Sequence, residues 1–190
     1  MNWQTLFNPF SKFEENQLLI GGILVTILGT IIGFLCNVTF DGVLDMHIIE
    51  ETTLIKVTIE NTVNISTITL LLFVLGKIVN PKTRFIDILN TCLWHRFPLY
   101  FGAILSIILL PKNLNEKLLK GANIMENPSV LVLTVIFGIL ILLIAAYSII
   151  LLVYGFKTAT NTKKWQHFVF FGITILIAEI ISKYIFYKLF

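Results

Sequence analysis

VLVLTVIFGILILLIAAYSIILLVYGF, from Val130 to Phe156, runs for 27 residues without a charged side chain. As a helix it extends about 40 Å at 1.5 Å per residue, more than the ~30 Å hydrocarbon core of a bilayer. A soluble protein has no place for so long a cylinder that is apolar all round. The chain is therefore an integral membrane protein. Its composition agrees: of 190 residues 56% are hydrophobic and only 13% charged, where soluble domains carry about 25% charged residues. Mean hydropathy is +0.88. A net charge of +3 is too small to argue for nucleic acid, and Lys and Arg in a membrane chain first report orientation.

Four further segments read as spans around this run. Residues 18–40 carry no charge, and Gly29 and Gly33 sit four apart in them, a small-xxx-small spacing that lets another helix approach closely. Glycine is also simply common in membrane helices, an equally weighted reading. Residues 61–79 form the second span, closed by Lys77 and the Asn80-Pro81 breaker. Residues 82–97 look amphipathic: Phe85, Ile88, Leu89 and Cys92 share one stripe, and Asp87, Asn90, Thr91 and His95 another. Joined to the apolar stretch 99–110, they give a third span over 85–110, kinked at Pro98. A polar connection, 111–128, precedes the 130–156 span, and 165–190 is the fifth, flanked by Trp165, Tyr184, Tyr187 and Lys188 as interface anchors. The fold class is an all-α polytopic membrane protein, a single domain over 1–190 built as a bundle of five transmembrane helices.

Two segments lie outside these spans. Trp3, Leu6, Phe7, Phe10 and Phe13 recur at helical intervals ahead of the first span, which suits a short interfacial N-terminal segment interrupted at Pro9. Residues 43–60 are acidic, and Thr53 to Glu60 alternates with β-branched residues, so a small extracytoplasmic β-hairpin is expected there, with an amphipathic helix as the competitor. No cleavable signal peptide is expected, because the first apolar segment is long and lacks a small-residue cleavage site. Assigning loops alternately places eight Lys and Arg on the N-terminal side and at most six on the other. The positive-inside rule then puts the N-terminus in the cytoplasm and the C-terminus outside.

Two polar groups could carry chemistry. Glu179 and Lys183 lie four apart on one face of the fifth span, with Ser182 beside them. Glu179 is roughly 21 Å along the helix from Trp165, and a carboxylate at that depth must pair, protonate or face a polar cavity. The sharp reading is a proton- or ion-handling site. The weightier one is mutual neutralisation with Lys183 reaching outward. The second group is Asp87, Asn90, Arg84 and Arg96, with Thr91 and His95, a candidate headgroup or partner site at the interface. Its alternative is a solvated helix face, and the two are weighed almost evenly. His47 with Glu50 and Glu51 is too loose for a metal ligand set. No phosphate loop, nucleophile elbow or HExxH stands in the chain, so neither metal, cofactor nor enzymatic chemistry is expected. Asn37-Val-Thr39 and Asn64-Ile-Ser66 match the glycosylation pattern at span edges and carry little weight. The cysteines, Cys36 and Cys92, pack as small hydrophobes.

Several short motifs follow one another in an order that resembles the bacterial branch of the Yip1 family of five-span membrane proteins. They are Asn8-Pro9-Phe10 with Phe13-Glu14-Glu15, Phe40-Asp41-Gly42-Val43-Leu44-Asp45, Asp87-Ile88-Leu89-Asn90-Thr91 with Arg96-Phe97-Pro98-Leu99, and Tyr154 to Asn161. The resemblance implies five helices, a cytoplasmic N-terminus, residence in a bacterial cytoplasmic membrane and no catalysis. Eukaryotic members are associated with vesicle traffic and small prenylated GTPases. This chain lacks their long N-terminal region and any Asp-Leu-Tyr-Gly-Pro segment, so that partner is not carried over. The expected role is a non-enzymatic adaptor or organiser of other membrane components, meeting the lipid bilayer and other membrane proteins or a second copy. The alternative is a small transporter or channel subunit using Glu179 and Lys183.

Overall fold

A computed structural model of the chain describes residues 3–110 and 128–189. It contains α1 (Trp3–Phe7), a 3-10 turn (Pro9–Ser11), α2 (Glu15–Leu35), β1 (Val38–Thr39), β2 (His47–Ile48), α3 (Leu54–Val79), α4 (Phe85–Trp94), α5 (Phe97–Leu109), α6 (Pro128–Thr160) and α7 (Trp165–Leu189). Five helical stretches are long and apolar enough to cross a membrane: α2, α3, α4 and α5 as one broken unit over Phe85–Leu109, α6 and α7. The polar connection expected over 111–128 falls, up to residue 127, outside the described residues.

Local chemistry sets most boundaries. Helix α2 starts where the Glu14 N–H donates to Gln17 Oε1 at 3.2 Å, and it ends with Asn37 at φ 52°. That left-handed conformation, which Asn tolerates, turns the chain out of the helix. Helix α3 begins at Thr53, whose hydroxyl accepts the Lys56 N–H at 3.2 Å. Val57, Asn61, Asn64, Ile68 and Leu72 then face inward at intervals of three and four.

The extracytoplasmic hairpin expected over 43–60 is corrected by this boundary. Residues 54–60 are the first two turns of α3, and the strand pairing lies earlier, as the two-residue ladder Val38↔Ile48, Thr39↔His47. The alternating β-branched residues yield to helix because Thr53 caps them and their inward face meets the bundle, and tertiary packing overrides propensity there.

The third span breaks at His95 and Arg96, between α4 and α5, and not at Pro98. Pro98 occupies the first turn of α5, where its missing N–H has no partner to lose. The carbonyl opened by the break, that of His95, accepts the Ser148 hydroxyl of α6 at 2.7 Å. Replacing Pro98 with alanine is therefore expected to leave the kink in place and to change stability by less than about 1 kcal/mol, as thermal unfolding in detergent with helicity as the readout will test.

Helix α4 is not an interfacial helix with one wet face. Ile88 and Cys92 on its apolar stripe are buried, and so are Asn90, Thr91 and His95 on its polar one, because α2, α3 and α6 pack around it. Helix α6, the long uncharged run, is the most lipid-facing of the five: Ile139, Leu142 and Leu143 stand exposed along it. The N-terminal segment docks onto α6, where Tyr147 donates to the Leu6 carbonyl at 2.9 Å and Phe7 meets the Tyr147 ring edge-on at 5.9 Å.

Candidate functional site

The loop joining α2 to α3 folds back into the bundle. Val38, Phe40 and Val43 are fully buried, Phe40 and Val38 packing with Val57, Leu99 and Tyr100, and Val43 with Ile68 and Leu152. Irregular backbone taken out of water leaves N–H and C=O groups that must find partners within the protein. Here they find side chains from three helical segments. Glu60 on α3 receives the Phe40 N–H at 2.9 Å and the Thr39 hydroxyl at 2.7 Å. Asn64, one turn on, donates to the Phe40 carbonyl at 2.5 Å. Arg96, at the break of the third span, donates from Nη1 to the Gly42 and Val43 carbonyls, both at 3.0 Å, and from Nη2 to Asn61 Oδ1 at 3.0 Å. Glu179 on α7 accepts the Leu44 N–H at 3.1 Å.

Phe40 is the centre of this arrangement. Its ring lies under the Arg96 guanidinium at 5.2 Å and edge-on to Tyr100 at 5.3 Å. Tyr100 donates to Asn61 Oδ1 at 3.1 Å, and the Asn61 amide donates to Thr30 on α2 at 3.0 Å. One connected polar network thus ties α2, α3, the α4–α5 break and the loop. Glu60 and Arg96 bring opposite charges to the same buried residue, which keeps the interior formally neutral.

The expected pair of Glu179 and Lys183 does form, at 3.2 Å, but it is not self-contained. Lys183 lies closer, at 2.6 Å, to Asp45 of the loop. Ser182 is buried and donates to the Glu179 backbone carbonyl at 3.1 Å. Gly42 sits against Glu179 and Asp45, and a Cβ there would run into both carboxylates. Asp41, Asp45 and His47 bring ligand-type atoms within 4.8 Å of one another, a different set from His47, Glu50 and Glu51, which read in sequence as too loose to bind a metal. In the structure the Asp41 carboxylate meets the His47 ring at 2.7 Å while Lys183 takes Asp45. Replacing Lys183 with methionine is expected to destabilise the protein by about 1 kcal/mol, and Glu179→Gln by less, because the pairs are partly exposed and screened. Chemical unfolding of the two variants side by side tests the order.

The second expected group divides. Arg84, Asp87 and Asn90 come together, and Arg96 does not join them. Arg84 makes a bidentate pair with Asp87 (Nε–Oδ2 3.0 Å, Nη2–Oδ1 2.6 Å) and reaches Glu15 of α2 at 2.6 Å. Hydrogen bonding to Asp87, then the charges of Asp87 and Glu15, hold the Arg84 pKa above its ordinary value. Asn90 is 2% exposed and donates to the Glu15 carbonyl at 3.3 Å. These residues line a cleft of about 190 Å³ with Phe10 and Phe13 on its wall, at the end of the bundle that holds the N-terminal segment.

Sequence reasoning missed Glu60, Asn61 and Asn64 as members of a site. Their spacing, four and three apart on one face of a span, was the available signal. Asn64 is fully buried with its amide on Phe40, and so is no accessible glycosylation acceptor. A family model described as Yip1 domain matches residues 3–183. No curated protein and no solved structure matches the chain.

Proposed function

This chain belongs to the Yip1 family, and we propose that it is a non-enzymatic adaptor or organiser of other membrane components, set in a bacterial cytoplasmic membrane with its N-terminus in the cytoplasm and its C-terminus outside. The observation that carries the reading is what the polar side chains inside the bundle are used for. Arg96, Glu60, Asn64 and Glu179 hold the backbone of the 38–44 loop, and Lys183 holds Asp45. A carrier would need such groups to change partners as its cargo passes. A scaffold needs them fixed, and it presents lipid-facing helices such as α6 to neighbours.

The transporter alternative rests on Glu179 and Lys183, since Glu179 is the partly buried carboxylate of the fifth span. The two separate in one experiment. Purified from mild detergent, the protein is expected to bring a stoichiometric membrane partner, and Glu179→Gln is expected to keep that partner. A lone homo-oligomer that passes ions in vesicles, and stops doing so on Glu179→Gln, would overturn the adaptor reading. A reporter fused after the C-terminus is expected to be active outside the cell; cytoplasmic activity would overturn the orientation.

A further inference from the structure

The cleft formed by Glu15, Arg84, Asp87 and Asn90 shares Phe13 and Leu18 with a larger apolar groove of about 520 Å³. That groove runs between the N-terminal segment, α2 and the α4–α5 break to α6, and its walls include Gly21, Trp94, Phe97 and Leu151. A small polar chamber at the bundle end thus adjoins a larger apolar groove, with Phe13 and Leu18 lining both. This is the shape of an amphiphile with a compact head.

The polar chamber indicates which head. Two carboxylates face one guanidinium, so the chamber is net acidic before any ligand enters. Asn90 Oδ1 is buried and has no hydrogen-bond partner among the described residues, which leaves an acceptor waiting for a donor. Phe10 and Phe13 add aromatic surface that suits a cation. Arg84 commits Nε and Nη2 to Asp87 and Glu15, and Nη1 remains to meet a phosphate oxygen. Taken together, one amide oxygen calls for an N–H donor beside two carboxylates that favour a cation, and one guanidinium nitrogen calls for an anion next to them.

We propose that this double cavity is a phospholipid site selective for a primary-amine headgroup of the phosphoethanolamine type. The ammonium sits among Glu15, Asp87 and Asn90 Oδ1, the phosphate meets Arg84, and an acyl chain follows the groove past Trp94. A quaternary ammonium brings charge but no N–H for Asn90. A purely anionic head would add negative charge to two carboxylates already present. The site is independent of whether the protein captures a membrane partner.

Trp94 lines the groove, so it can report the lipid directly. In a Trp3→Phe, Trp165→Phe background the fluorescence of Trp94 is titrated in detergent with phosphatidylethanolamine, phosphatidylcholine and phosphatidylglycerol, each with brominated acyl chains. The ethanolamine lipid is expected to quench at a mole fraction about fivefold lower than the other two. Glu15→Gln and Asp87→Asn are expected to erase that preference while leaving quenching itself, because the groove is intact. Equal quenching by all three lipids in the unaltered protein would mean annular lipid only and would overturn the proposal. Strongest quenching by phosphatidylglycerol would overturn the amine assignment, and no quenching by any would overturn the groove. If Asp87→Asn fails to fold, Glu15→Gln, at the exposed start of α2, carries the same test: an undiminished ethanolamine preference in it overturns the site.

Discussion

Arg96→Leu is expected to destabilise the protein by ~3–5 kcal/mol, because it strips a buried site of its donors and of its positive charge together. The guanidinium is fully buried and makes three hydrogen bonds, two to the loop carbonyls of Gly42 and Val43 and one to Asn61. Leucine fills much of the volume but takes the Arg96 donor away from both carbonyls, where an unmet buried acceptor costs about 1–3 kcal/mol. It also leaves the Glu60 carboxylate without the positive charge that shares Phe40 with it. Lysine is not an adequate replacement, because one ammonium on a flexible stem cannot span Asn61 and two carbonyls as a planar fork does. Thermal unfolding in detergent should place Arg96→Lys between the unaltered protein and Arg96→Leu. A melting temperature unchanged in Arg96→Leu would mean that the loop is held by its apolar contacts alone.

Gly29→Ala is expected to cost about 2–3 kcal/mol, although alanine is ordinarily the better helix former by 0.5–1 kcal/mol. The Cβ would run into the Tyr100 ring. That ring cannot step aside cheaply, because it stacks edge-on to Phe40 and its hydroxyl holds Asn61. The clash has a signature that a general loss of packing would not produce. In a Tyr100→Ala background the obstacle is gone, so Gly29→Ala should become neutral or slightly stabilising. Unfolding free energies of the two single variants and the double variant close the cycle, and a cost for Gly29→Ala that persists without Tyr100 would disprove the contact.

The five helices were legible because bilayer thickness imposes a length on apolar runs, and no tertiary detail can alter that requirement. The pair Glu179–Lys183 was legible too, because helical spacing alone brings residues four apart together. The loop was not. Phe40 reads as the end of the first span, and residues 41–48, with Asp41, Asp45 and His47, as a connection outside it, yet Phe40 and Val43 lie in the core. Glu60, twenty residues on, accepts the Phe40 N–H, Asn64 and Arg96 donate to the Phe40 and Val43 carbonyls, and Glu179, 135 residues on, accepts the Leu44 N–H. Asp45 likewise reaches Lys183 across 138 residues. Such pairings have no local signal. For the same reason Arg96 reads in sequence as an interfacial cation beside Arg84, six residues after the buried Asn90, whereas the break in the third span turns it inward. The Arg84, Asp87 and Asn90 cluster was visible from spacing within one helix, but its completion by Glu15 of α2 was not.

The intramembrane polar residues serve above all to hold the α2–α3 loop inside the bundle. Amide hydrogen exchange followed residue by residue in detergent or nanodiscs tests that role most directly, at Phe40 and Leu44, whose N–H groups go to Glu60 and Glu179. Both amides are predicted to exchange at least about a hundredfold more slowly than unprotected amides, and the Phe40 amide is predicted to lose that protection in Glu60→Leu. Exchange of Phe40 and Leu44 at the unprotected rate in the unaltered protein would contradict the role.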